Sequence, residues 1–235
     1  MPRPVNIYCE WGLEGIRKLS PVSDVIIIVD VLSFSTCVDI AAGNKAFILP
    51  YKFKDESAVN YASLNSAELA SFSRSRQELS LSPSSFTKIK PGTRLVLPSP
   101  NGSELSLSTE STMTLCACLR NADAVAEYVL KTGGNISVIP AGEKWKDGSM
   151  RFALEDYLGA GAVISCLKGN FIGKAEDAML SFRSFKKDIS RTISMSISGV
   201  ELIEKGFEDD IALACEINVS ASVPVLSNNI YKNVY

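Results

Sequence analysis

Two hydrophobic periods share this chain, one of short continuous apolar runs and one of apolar positions spaced three and four apart. The strongest run is Val25–Val29, five β-branched residues closed by Asp30 and followed by Ser33-Phe34-Ser35-Thr36. An apolar run of that length, ended by an acid and a Ser/Thr cluster, predicts a buried central strand with a polar carboxyl end. Further strands are predicted at 5–8, at 46–49, after the Pro91-Gly92 turn up to Pro98, at 115–119, 136–139 and 192–197, and the chain closes with Val223-Pro224-Val225-Leu226 and a polar tail. Helices are predicted at 35–42 with Gly43-Asn44 as the stop, at 58–76, and at 122–130 between an Asn121 N-cap and Gly133-Gly134. Others follow at 152–167, 173–185, 201–205 and 207–215, and residues 10–20 read as a loop or short helix.

Strand and helix alternate often enough to give an α/β class, a layered α/β/α arrangement with a mostly parallel or mixed central sheet. Residues 25–49 read as a first β-α-β unit, which predicts parallel pairing through a right-handed crossover. The chain is expected to form one domain over 1–235, with lobes of about 1–130 and 131–235 as the alternative; no repeat, heptad or linker interrupts it. The serine-rich region 57–85 ends in 78–87, which reads as a solvated connection.

Composition narrows the chemistry. With 235 residues and a net charge of −2, the chain has no basic field to hold nucleic acid. No apolar leader stands in Met1-Pro2-Arg3-Pro4-Val5-Asn6, and no apolar run is long enough to span a bilayer, so no membrane partner and a cytoplasmic location are expected. The six cysteines, Cys9, Cys37, Cys116, Cys118, Cys166 and Cys215, lack C-x-x-C spacing and are expected to be buried thiols. There is no histidine, which removes Ser-His and Cys-His catalysis, histidine phosphatases and most catalytic zinc sites. A P-loop, a dinucleotide fingerprint and a D-x-D phosphatase signature at Asp30 are also missing.

Carboxylates, hydroxyls and arginines at predicted strand ends remain. Asp30 is the first candidate, because ligands in open α/β sheets bind beyond the carboxyl ends of strands; otherwise it braces the next helix, with Ser33 or Ser35 as N-cap. Glu155 and Asp156 stand one turn into a helix, either as site residues or as first-turn acids favouring the helix dipole. Ser99-Pro100-Asn101-Gly102-Ser103 offers backbone N–H groups and hydroxyls suited to an anion. Carboxylates without histidine suit a hard cation such as Mg²⁺, which takes one or two of them and leaves room for water and phosphate oxygens.

These segments together resemble the magnesium-dependent 2-phosphosulfolactate phosphatases. The resemblance is carried by Val29-Asp30-Val31-Leu32-Ser33-Phe34-Ser35-Thr36, by Leu97 to Ser103, by Leu119-Arg120-Asn121-Ala122, and by Pro140 to Arg151 running on through Glu155-Asp156 to Gly161. It continues to Asp210 and Val223-Pro224-Val225. It implies an α/β fold with Mg²⁺ that hydrolyses 2-phospho-3-sulfolactate to 3-sulfolactate and phosphate, a step towards coenzyme M. This chain has Ser33 where the family pattern has arginine after Asp-Val-Leu, Ser99-Pro100 before Asn-Gly, and Leu81-Ser82-Pro83 in place of a Gly-Asn-Ser-Pro segment.

The expected function is therefore Mg²⁺-dependent hydrolysis of a small anionic phosphoester, the alternative being a phosphate- or sulfonate-binding homologue without turnover. Asp30, Glu155 and Asp156 are the expected catalytic and metal-binding acids. Ser33, Ser35, Asn101, Gly102, Ser103, Arg120, Asn121, Glu143 and Arg151 are the expected substrate- and phosphate-binding residues. The expected partner is the small-molecule substrate, with homo-oligomer formation left open.

Overall fold

A computed structural model describes residues 5–110 and 112–235. Its strands are β1 (Asn6–Cys9), β2 (Val25–Val29), β3 (Phe47–Tyr51), β4 (Glu68–Leu69), β5 (Arg94–Pro98), β6 (Met113–Ala117), β7 (Ile136–Pro140), β8 (Glu143–Lys144), β9 (Met150–Arg151), β10 (Asn170–Gly173), β11 (Pro224–Ser227) and β12 (Ile230–Asn233). The helices are α1 (Gly12–Leu19), α2 (Phe34–Gly43), α3 (Glu56–Leu64), α4 (Gly102–Leu107), α5 (Ala122–Thr132), α6 (Leu154–Cys166), α7 (Ala175–Phe185), α8 (Ile189–Ser194), α9 (Ile197–Glu204) and α10 (Glu208–Ala214).

Ten strands form one mixed sheet in the order β10-β1-β7-β2-β6-β11-β12-β3-β5-β4, and β8 pairs with β9 as a separate hairpin. The first five strands are mutually parallel, as are β3, β5 and β4. The β11–β12 hairpin joins the two groups through antiparallel pairs. The α/β class holds, but the expected β2-α2-β3 unit does not: β3 is antiparallel to its sheet neighbour β12 and is not paired with β2.

The side chains of β2 split the core by the two-residue period of a strand. Val25, Ile27 and Val29 pack in the cluster holding Val125, Leu158 and Ala178 from α5, α6 and α7. Ile26 and Ile28 pack with Ile16 and Leu19 of α1 and Leu105 of α4. Strand β2 is thus covered on both faces, and this is why its sequence is apolar without alternation. A third cluster sets Phe34, Val38 and Ala41 of α2 against Ile48, Leu95 and Tyr231.

Several boundaries differ from expectation. Residues 58–76 are not one helix: α3 stops at Asn65, whose side-chain amide donates to Tyr61 O at 2.8 Å, and Ser66 takes a positive φ of 49°. The expected strand at 192–197 lies in α8 and α9, because Ile189 and Ile193, four apart, bury one helical face. Strand β10 lies in the connection between the helices expected at 152–167 and 173–185, and β12 lies in the expected polar tail. The 78–87 stretch is not a solvated connection, since Ser80, Ser82, Pro83 and Phe86 are buried. All six cysteines are free thiols, five buried and Cys166 half-buried. No helix among the described residues is long and apolar enough to cross a membrane.

Candidate active site

Asp30 follows β2 directly, and its carboxylate is buried and held by two backbone donors. Oδ1 accepts from Phe34 N at 3.2 Å and Oδ2 from Gly102 N at 2.9 Å. Asp30 braces the first residue of α2, as one expectation had it, and the charges of Glu143 and Glu155 act on it. Laid flat, the sheet would put β2 and β5 five strand spacings apart, about 24 Å. The bond from Gly102 to Asp30 therefore requires the sheet to curl until the segment after β5 meets the end of β2. Gly102 allows this approach because a Cβ there would stand 2.2 Å from the Phe34 ring and 2.8 Å from Asp30 Oδ2.

The second acid comes from the first turn of α6. Asp156 Oδ1 accepts from Val31 N at 2.7 Å, and Oδ2 accepts from Gly142 N at 2.9 Å. Its carboxylate clamps the segment after β2 to the segment after β7, a positioning task for which both oxygens are already used. Glu155, beside it, is also buried, and its Oε2 has no hydrogen-bond partner. The fourth acid is Glu143 in β8, which accepts from Asn101 Nδ2 at 2.9 Å. Each of these acids, when ionised, favours the proton on its neighbours. Burial, then the Glu143 charge, pushes the Asp30 carboxyl up to about 7, against the two N–H bonds. Asp156 is raised well above the usual carboxylate range by burial and then by Asp30, and Glu143 is raised by burial and then, against the Asn101 bond, by Glu155.

The Asn-Gly loop thus holds anions in a different sense from the one expected. Asn101 and Gly102 donate to the protein's own carboxylates, whereas Ser103 Oγ donates to Leu97 O at 2.9 Å inside the core. Ser35 Oγ accepts from Asp30 N at 2.8 Å and so fixes the strand end; neither Ser33 nor Ser35 caps α2 through its side chain. Arg151 in β9 lies opposite Glu143 in the hairpin, donates to Glu201 Oε1 at 3.0 Å and stands over the Trp145 ring. Two expected residues do not join the cluster. Arg120 pairs with Asp39 at 3.0 Å and with Glu216, and Asn121 bonds Cys118 N, Cys116 O and Ser222 O within the fold.

Sequence reading missed Arg74 and its partner. Arg74 NH1 donates to the fully buried Asp210 at 2.7 Å, and NH2 donates to Ser33 Oγ at 3.1 Å. Ser82 Oγ at 2.7 Å and Ser84 N at 3.0 Å also bond the Asp210 carboxylate, so the serine-rich segment 73–85 arches back over the site. The pair is separated by 136 positions. The only local signals were the resemblance at Asp210 and the Leu81-Ser82-Pro83 segment.

A magnesium ion, which the family pattern implies, can be tested against these residues. The unpartnered Glu155 Oε2 and three acids pushed toward protonation are an environment a cation would relieve. No group of three or more Asp, Glu or Cys side chains among the described residues is arranged as a metal cage. What the site offers a hard cation is one unengaged carboxylate oxygen, Glu155 Oε2, with water and substrate oxygens left to complete the shell.

The chain is 34% identical to the 2-phosphosulfolactate phosphatase of Methanothermobacter thermautotrophicus over 134 residues, 57% of this chain and 56% of that one. That match spans little more than half the length of the relative. Two others are longer: 29% identity over 215 residues to the probable 2-phosphosulfolactate phosphatase of Thermotoga maritima, and 30% over 213 residues to that of Thermotoga petrophila. Each covers 87% of this chain and 90% of the relative. A family model described as 2-phosphosulpholactate phosphatase matches residues 14–229, and the chain belongs to that family.

Proposed function

We propose that this protein is a phosphoric monoester hydrolase of the cytoplasm that converts 2-phospho-3-sulfolactate to 3-sulfolactate and phosphate. The observation that carries the reading, beside family membership, is the buried acid cluster at the ends of β2 and β7, with Asp30 held near neutrality. A carboxyl poised near 7 is divided between its two protonation states at neutral pH, which suits it to take a proton from an attacking water. Asp156 ties the segment carrying Asp30 to the segment carrying Glu143 through Val31 and Gly142, and Asn101 orients Glu143.

Glu155 is the residue that would hold Mg²⁺, through its unpartnered Oε2, whereas both oxygens of Asp30 are engaged by backbone N–H groups. When bound, the ion supplies polarisation of a phosphoryl oxygen and neutralises charge on the ester. Phosphate release from 2-phosphosulfolactate, with Mg²⁺ and with EDTA, tests the reading. Release that requires the metal supports it, and no release from this ester or from a panel of small phosphoesters overturns it.

A further inference from the structure

Beside the acid cluster lies a cavity of about 440 Å³, between α9 and the serine-rich arch, whose walls include Leu32, Ser73, Arg74, Glu143, Ser198 and Lys205. Glu143 and Leu32 connect it to the Asp30 site, since Leu32 stands two residues after Asp30 and Glu143 contributes to Asp30's electrostatics. Its charged lining is two cations, Arg74 and Lys205, and two acids, Glu143 and Glu201. Of the two acids on its wall, Glu201 is paired with Arg151 and Glu143 is hydrogen-bonded to Asn101. Lys205 makes no ion pair among the described residues. Arg74 is largely buried and locked in place by Asp210, Ser33 and the Phe207 ring. A guanidinium has five N–H donors, and those not given to Asp210 and Ser33 remain for a ligand. Lys54 is near enough that the Arg74 charge, after burial, lowers its pKa.

We infer that this cavity is the subsite for the substrate's non-reacting sulfonate, with Arg74 and Lys205 as its specificity-determining cations and Ser33 as the residue that orients Arg74. The inference rests on the phosphatase reading for the identity of the ligand. The division of the substrate follows from chemistry. A sulfonate keeps a fixed charge at every working pH and presents oxygen acceptors only, so it suits fixed cations with spare N–H groups. A phosphoryl group that is to be hydrolysed needs a titrating carboxyl and a cation-binding acid beside it, and those are Asp30 and Glu155, each within electrostatic reach of Glu143.

Binding of 3-sulfolactate and of lactate, which lacks the sulfonate, is to be measured by isothermal titration with the full chain. Arg74→Ala would leave Asp210 buried and unpaired, so the variants are Arg74→Lys and Lys205→Ala, the latter on an exposed residue. The wild type should prefer 3-sulfolactate, and each variant should lose about 10-fold or more of that preference with lactate binding little changed. No preference in the wild type, or an unchanged preference in both variants, overturns the inference. A preference that is present and sensitive to the variants, in a protein that releases no phosphate, supports the subsite and counts against the hydrolytic reading alone. Phosphate release with no sulfonate preference does the reverse.

Discussion

Burial holds the Asp30 carboxyl up at about 7 although two backbone N–H groups point at it, so its folded pKa lies above the ordinary 3.8. The folded state then binds the proton more tightly than the unfolded chain does. The stabilisation that Asp30 contributes is complete below its ordinary pKa and is lost as pH rises to about 7. Glu143 and Asp156 shift in the same direction. Thermal melts in EDTA should therefore show a falling Tm from pH 5 to pH 8, and Asp30→Asn should make that slope shallower. The same variant should lower kcat by about 100-fold or more if Asp30 takes the proton, with circular dichroism confirming the fold. Activity that survives in a folded Asp30→Asn protein would remove Asp30 from the mechanism. Asp156→Ala leaves two buried N–H groups unpaired and should cost about 2–5 kcal/mol of stability by denaturant titration. Asp30, Glu155 and Asp156 were legible because acids directly after an apolar strand or in a helix's first turn stand out locally. Arg74 was not, because its meaning depends on Asp210, which no local pattern connects to it.

Among the elements, close approach between backbones sets what can be changed. A Cβ on Gly161 would lie 2.0 Å from Ala178 O and 2.8 Å from Phe182 Cβ, so α6 and α7 touch there almost backbone to backbone. Gly161→Ala should destabilise by about 1–3 kcal/mol despite the better helix propensity of alanine. Gly43 is the contrast: at the end of α2, its added Cβ would meet only Ser222 Cβ at 3.7 Å. Gly43→Ala should be neutral or stabilise by up to about 1 kcal/mol, and equal losses at the two positions would refute the packing account. Gly161 lowers the helix propensity of α6, and this contact is the reason a glycine stands there. Elsewhere periodicity was ambiguous: Thr192-Ile193-Ser194-Met195-Ser196-Ile197 alternates like a strand, yet Ile189 and Ile193 also repeat at helical spacing and the core selected that period. The arch after α3 was hidden for another reason. Serines usually mark exposed turns, and here Ser80 and Ser82 are buried because each finds an internal hydrogen-bond partner.

For the molecule as a whole, the central fact is that two parallel groups of strands are joined only by the β11–β12 hairpin. Tyr231 on β12 is buried, its hydroxyl bonds Ser106 Oγ at 2.8 Å, and its ring packs edge-on to Phe34, whose backbone N–H holds Asp30. Tyr231→Ala should cost about 3–5 kcal/mol and reduce activity as well, whereas Tyr231→Phe should cost about 1 kcal/mol. Stability that falls without activity would show that the hairpin joins the sheet but does not position the site. This arrangement could not be read from sequence, because adjacency along the chain suggested that β2 and β3 pair, and a remote segment comes between them.

The joining hairpin also imposes an order on the protein's birth. Strands β6 and β3 are synthesised long before the two strands that lie between them, so during translation both wait with one side open to other chains. Their protection arrives only with β11 and β12, which emerge after every other strand of the sheet. Premature termination or a stalled ribosome near residue 220 would thus release not a shortened enzyme but two unsealed sheet edges, the form of the chain most prone to pair with its neighbours.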